Sequence, residues 1–214
     1  MRQHNRYIIV MMAIIFLLSM VLTGCAMGGE QKDEKVSSTP KKQQPLGWKV
    51  PYFTYTDQDG KSFDSKKLAG KPYLVDMIFT RCPDVCPPMT ANMVRLQKQM
   101  KEKGLEVDIV SFSVDPAYDK PKKLKEFAKS HDADLNRWHF LTGYKQKEIE
   151  EFALKGFKST VMKPKKPSKG SPMMVNHPVS FFLIDGNGKV YERYDGMKPA
   201  YNQILNDLGK LQGK

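Results

Sequence analysis

Two cysteines stand four positions apart in Thr80-Arg81-Cys82-Pro83-Asp84-Val85-Cys86-Pro87-Pro88. A thiol pair this close can serve as a structural disulfide, exchange a disulfide with a substrate, or hold a soft metal ion. The structural disulfide is the weakest of the three readings, because loop-closure stabilisation grows with loop length and this loop is tiny. Exchange needs an accessible thiolate of low pKa and a resolving partner, and the pair supplies both. A metal site needs at least one further ligand. His177, in Val175-Asn176-His177-Pro178, is the best candidate. Two thiolates and an imidazole suit copper, since sulfur favours Cu(I) and nitrogen helps to hold Cu(II). Of the other histidines, His4 lies in an N-terminal leader, His131 stands where it would cap a helix, and His139 follows Trp138 in a core-like strand.

The elements that must position these groups are legible. Tyr73 to Phe79 is almost continuously apolar, the pattern of a strand buried on both faces of a mostly parallel sheet. Met89, Met93, Leu96 and Met100 follow at helical spacing, with Met93 and Met100 expected in the core. Each cysteine precedes a proline, which disfavours helical backbone. Both thiols therefore belong to the loop between strand and helix, with Cys86 at the first turn. There the positive end of the helix would stabilise a thiolate. Arg81 is expected to point at water. Further on, Leu105–Val114 reads as a strand, Pro121–Ala128 as a helix, Trp138–Thr142 as a strand and Glu148–Leu154 as a helix. Residues 158–172 read as a long, basic, exposed loop. Val179–Asp185 and Lys189–Tyr194 form a hairpin before a last helix through Leu208. Tyr52–Thr56 with a turn at Asp59-Gly60 suggests an N-terminal hairpin extension. This alternation predicts an α/β, thioredoxin-like fold: a central, mostly parallel or mixed sheet flanked by helices. In such sheets the site lies beyond the carboxyl ends of the strands, where Cys82 and Cys86 fall.

The first 24 residues read as a lipoprotein signal peptide. Arg2 and Arg6 precede an apolar run from Ile8 to Leu22, and Leu22-Thr23-Gly24-Cys25 resembles a lipobox, with Cys25 as the lipidated residue. An uncleaved anchor is the alternative, and both place the domain outside the cytoplasmic membrane. Residues 25–45 read as lipidated cysteine and flexible tether, and residues 46–214 as the folded, copper-binding domain. The net charge of +12 falls to +10 without Arg2 and Arg6. For an exported, membrane-anchored chain this suits anionic headgroups or an acidic partner, and no nucleic acid.

Phe79-Thr80-Arg81-Cys82-Pro83-Asp84-Val85-Cys86-Pro87, Ser113-Val114-Asp115-Pro116 with Asp119, and His177 before Phe181-Phe182-Leu183-Ile184-Asp185 together resemble the Sco (SenC/PrrC) copper proteins of the Gram-positive lipoprotein type. The resemblance spans about residues 48–212. It implies a copper chaperone for the dinuclear copper A centre of cytochrome c oxidase, with Cys82, Cys86 and His177 as ligands and subunit II as partner. The alternative is a thiol–disulfide reductase that keeps the cysteines of that copper site reduced, working through Cys82 and Cys86 as a reversible disulfide. The chain is expected to act as a monomer, more as a chaperone than as an enzyme. Pro178 departs from the polar residue the family pattern has at that position. Two acids are possible supports of the site. Asp76, inside the apolar strand, would have a raised pKa and could relay protons, or else simply bond backbone amides. Asp115 ends a strand beside Pro116, where turn formation is the ordinary role and support of the ligands the alternative. Met173 and Met174 are expected to pack under the 158–172 loop, with soft donation to copper as the second possibility.

Overall fold

The computed structural model describes residues 45–164 and 174–213. The leader, Cys25, most of the tether, Met173, and the basic residues Lys165, Lys166 and Lys169 lie outside the described residues. Among the described residues no helix is long and apolar enough to cross a membrane.

Strands β1 (Thr54–Thr56) and β2 (Ser62–Asp64) form the expected antiparallel hairpin. At its tip Asp57 Oδ1 accepts from the backbone N–H groups of Asp59 and Lys61, and Gly60 takes the positive φ of 76° that a side chain would strain. Then follow β3 (Tyr73–Ile78), α1 (Cys86–Glu102), β4 (Asp108–Ser113), α2 (Pro121–Ser130), β5 (Trp138–Leu141), α3 (Gln146–Phe157), β6 (Ser180–Ile184), β7 (Val190–Asp195) and α4 (Tyr201–Leu211). The five-stranded sheet has the order β5-β4-β3-β6-β7. Strand β3 pairs parallel with β4, and β4 with β5, while β6 and β7 run antiparallel. This is the mixed, helix-flanked sheet of a thioredoxin-like fold.

All six residues of β3 are buried, as its unbroken hydrophobicity requires of a central strand. Its antiparallel neighbour decides what meets the cysteine loop. Tyr73 pairs with Ile184 and Val75 with Phe182. Continuing that register past the start of β6 brings residue 177 level with residue 80, just before Cys82. The ring of His177 accordingly stands edge-on to Phe79 at 5.7 Å between centroids. Met93 and Met100 are buried in the core, and His131 Nδ1 lies 2.9 Å from the Phe127 carbonyl at the end of α2, as expected.

The segment after α3 departs from expectation. Instead of an exposed loop from its first residue, Ser159 and Val161 are buried, and Met162 exchanges two backbone hydrogen bonds of 2.9 Å with Asn176. A single apolar anchor in a polar, aperiodic stretch leaves no period for the sequence to show, yet it ties this strand to the residue before His177.

Candidate metal centre

Helix α1 begins at Cys86, which therefore lies in its first turn as expected, while Cys82 stays in the loop. Prolines are tolerated there because the first N–H groups of a helix have no partner within it. The N-terminal flanking residue, Val85, has no side-chain acceptor. Cys82 Sγ fills that role, accepting the Cys86 N–H at 3.4 Å. The helix end thus acts on Cys82, four residues upstream, rather than on the cysteine that the helix contains.

Cys82, Cys86 and His177 are brought together and nearly sealed, with exposures of 7%, 0% and 7%. Both thiols are free. Cys86 Sγ lies 3.6 Å from His177 Nε2. On the other side of the ring, Nδ1 lies 3.1 Å from the carbonyl of Pro178. A carbonyl can only accept, so Nδ1 carries a proton, and Nε2 faces the sulfurs. Pro178 supplies this contact through its backbone, and no peptide bond among the described residues is cis.

The thiols are unequal. Burial opposes ionisation of Cys82, but the hydrogen bond from His177 and the N–H groups of Asp84 and Cys86 outweigh it and bring its pKa down to about 6. Burial pushes the Cys86 thiol well above the ordinary range, and the nearby charges of Cys82 and Asp76 push it further. The two shifts run in opposite directions, favouring thiolate at Cys82 and thiol at Cys86.

Among the described residues no three His, Cys, Asp or Glu side chains stand in ready coordinating geometry; the trio is hydrogen-bonded. The donor set nevertheless fits a soft ion. Two ligands bonded to one ion at about 2.0 Å (nitrogen) and 2.3 Å (sulfur), in tetrahedral or trigonal arrangement, stand roughly 3.6 Å apart. Cys86 Sγ and His177 Nε2 already have that separation. An ion would replace the thiol proton between them, and the Pro178 carbonyl would hold the imidazole tautomer, as outer partners of ligating histidines do.

Asp76 is completely buried beneath the site. Its Oδ1 accepts from the Ser111 hydroxyl, whose oxygen in turn accepts Trp138 Nε1–H at 2.8 Å; Asp76 Oδ2 has no hydrogen-bond partner among the described residues. Burial raises its pKa to about 7, against the lowering effects of Ser111 and His177. Of the two roles expected, the buried acid of raised pKa is the one the geometry matches.

Asp115 does more than end a strand. Its carbonyl accepts the N–H groups of Tyr118 and Asp119 in a turn, while its buried carboxylate takes Arg81 Nε at 2.8 Å, Arg81 Nη2 at 2.6 Å and the Lys163 ammonium. Arg81 is therefore not directed at water: it is ion-paired beside Cys82, with its guanidinium 4.4 Å over the Tyr118 ring. Lys163 is likewise a structural cation and not a free steering charge. Asp119, which sequence reasoning gave no role of its own, accepts from Thr80 Oγ1 and Ser113 Oγ at 2.6 Å each and from Thr80 N. The available signal was its position just before α2, where an acid reads as an ordinary helix cap. Met174 is 44% exposed, while Met173 and most of the 158–172 loop lie outside the described residues.

A thioredoxin-like sheet, a dithiol at a helix N-terminus and an opposing histidine together present donors that suit thiol exchange or a soft metal ion. The SCO1/SenC family model matches residues 41–212, and the chain belongs to this family. It is 44% identical over 185 residues to the SCO1 protein homolog of Bacillus subtilis, covering 86% of this chain and 88% of that one. A crystal structure described as a SCO1/SenC family lipoprotein from Bacillus anthracis matches with TM-score 0.74 and 46% identity, covering 78% of this chain and 97% of the other. BsSco, described with a disulfide switch and as a member of the cytochrome c oxidase assembly proteins, matches with TM-score 0.69 and 45% identity over 78% and 95%. ScoI of Bradyrhizobium japonicum with copper bound matches with TM-score 0.63 and 26% identity over 76% and 98%.

Proposed function

We propose that this protein is an extracytoplasmic copper chaperone that binds copper through Cys82, Cys86 and His177 and delivers it to the dinuclear copper A centre on subunit II of cytochrome c oxidase. The observation that carries the reading is Nε2 of His177 held 3.6 Å from Cys86 Sγ, with Cys82 lowered toward thiolate beside it. The copper-bound relative and the oxidase-assembly relative support the cargo and the partner. Residues 1–24 act as a leader, Cys25 carries lipid, and residues 25–45 hold the domain of residues 46–214 at the outer face of the membrane. The lipoprotein relative supports that location.

In this reading the chain's own residues do simple work. Cys82 offers a thiolate at neutral pH, Cys86 gives up its proton when the ion arrives, and Pro178 keeps the imidazole aimed inward. Copper-loaded protein mixed with the apo form of the oxidase subunit should transfer its copper, and Cys86→Ser should abolish transfer; equal transfer by the variant would contradict the reading.

A second reading is favoured by the unequal thiols and by the disulfide switch described for BsSco. Cys82 thiolate attacks a disulfide of the target subunit, and Cys86 then resolves the mixed disulfide, leaving Cys82–Cys86 oxidised and the target dithiol reduced. This predicts alkylation of Cys82 that rises through about pH 6 while Cys86 stays unreactive. Parallel pH profiles for the two thiols would count against it.

A further inference from the structure

Among the described residues, Met77, Met89, Met93 and Met100 are all 2% exposed or less. Met162 and Met174 are 60% and 44% exposed. Met162 and Met174 flank an isolated antiparallel bridge, which pairs Met162 with Asn176, two residues after Met174. Both line the open hollow whose wall includes His177, together with Val85, Val179 and the carboxylate-bearing Asp84. Met197, the other exposed methionine among the described residues, lies outside that hollow.

The inner donors are nearly sealed, so an ion must reach them across some outer surface. The hollow against His177 is such a route, and it exposes two thioethers. Thioethers are neutral, soft donors that select Cu(I) and bind it more weakly than thiolates do. We propose that Met162 and Met174 form an outer thioether station that captures a cuprous ion and passes it inward to Cys82, Cys86 and His177. The inference rests on the copper reading above and adds a second, kinetic metal site to it. The step is a ligand exchange. The thioether–copper bonds break, sulfur and nitrogen bonds to the inner trio form, the remaining thiol proton leaves to water, and copper stays Cu(I) throughout.

The test uses the full chain with Met162→Leu and Met174→Leu combined, exposed substitutions of similar volume that leave the fold intact. Stopped-flow mixing with the Cu(I) complex of bathocuproine disulfonate follows loss of the chelate colour. The expected result is uptake slowed about tenfold, with unchanged final copper occupancy. An unchanged rate overturns the proposal. Should the wild type take up no copper at the inner trio, the chaperone reading fails, and a separate measurement still decides the outer station. Ag(I), a closed-shell stand-in for Cu(I), is added to methyl-labelled methionine protein carrying Cys82→Ser, Cys86→Ser and His177→Ala. Shifts of the Met162 and Met174 methyl signals support the station. Their absence overturns it and leaves the two methionines as an apolar contact surface.

Discussion

Two acidic regions lie buried around the cysteine loop, and they differ in how fully partners offset the cost of burial, which raises the pKa of Asp119 as well as that of Asp76. On the β4 side every carboxylate oxygen is partnered. Asp115 holds Arg81 and Lys163, and Asp119 holds Thr80 and Ser113. Under the thiols Asp76 has one hydroxyl donor and an Oδ2 with none among the described residues. Desolvating a charge without a partner is so unfavourable that the group takes a proton instead. The first region therefore fixes shape: it ties Thr80 and Arg81, the residues leading into Cys82, to the end of β4. The second holds an exchangeable proton next to groups that must lose protons when they bind metal or attack a disulfide.

The largest way to break this contrast is Asp76→Asn. The folded-state pKa of about 7 lies above the ordinary carboxylate value, so the folded state holds this proton more tightly than the unfolded chain does. The stability that the proton confers is complete below about pH 4 and is lost as pH rises through about 7. Asparagine lacks this loss. Urea unfolding of both proteins should show the variant gaining on wild type by on the order of 4 kcal/mol between about pH 4 and 8. A difference that does not change with pH would mean that Asp76 is not the neutral member of the pair of regions.

Asp119→Ala tests the other side. It strands the Thr80 amide, the Thr80 hydroxyl and the Ser113 hydroxyl at once, and should cost roughly 3 kcal/mol. Thermal unfolding reads this directly, and a loss of only a few tenths would show that the loop does not depend on Asp119. The smallest effect belongs to Arg81→Ala. The guanidinium is one-third exposed and Lys163 remains to pair Asp115, so chemical denaturation should register about 1 kcal/mol. Arg81→Ala combined with Lys163→Ala should exceed the sum of the single losses, because only the double variant leaves the buried Asp115 carboxylate without a cation.

What the sequence could reveal follows from how local each signal is. The buried β3, the helix carrying Met89 to Met100 and the turn at Gly60 rest on period and turn chemistry within a few residues. Cys82, Cys86 and His177 were legible because few other residue types can do soft-metal or thiol chemistry. Asp115 with Arg81, Asp119 with Thr80 and Lys163 with Asp115 are contacts across 34 to 48 positions. No spacing rule links such residues, and each has an ordinary local explanation: an arginine at the surface, an acid at a turn, an acid before a helix. The burial of Val161 and the exposure of Met162 and Met174 depend on one short ladder between segments that the sequence presents as unstructured. The register of β6 against β3, which brings His177 to the thiols, could be suspected from the fold type but measured only in three dimensions.

The central claim is that His177 completes a copper site with the two sulfurs, and copper titration of the reduced protein and of His177→Ala tests it most directly. Absorption and electron paramagnetic resonance should show, for the wild type, a thiolate-to-copper band with coupling to one nitrogen. The variant should lose that coupling and bind copper more weakly. Identical spectra and equal binding in the two proteins would contradict the account.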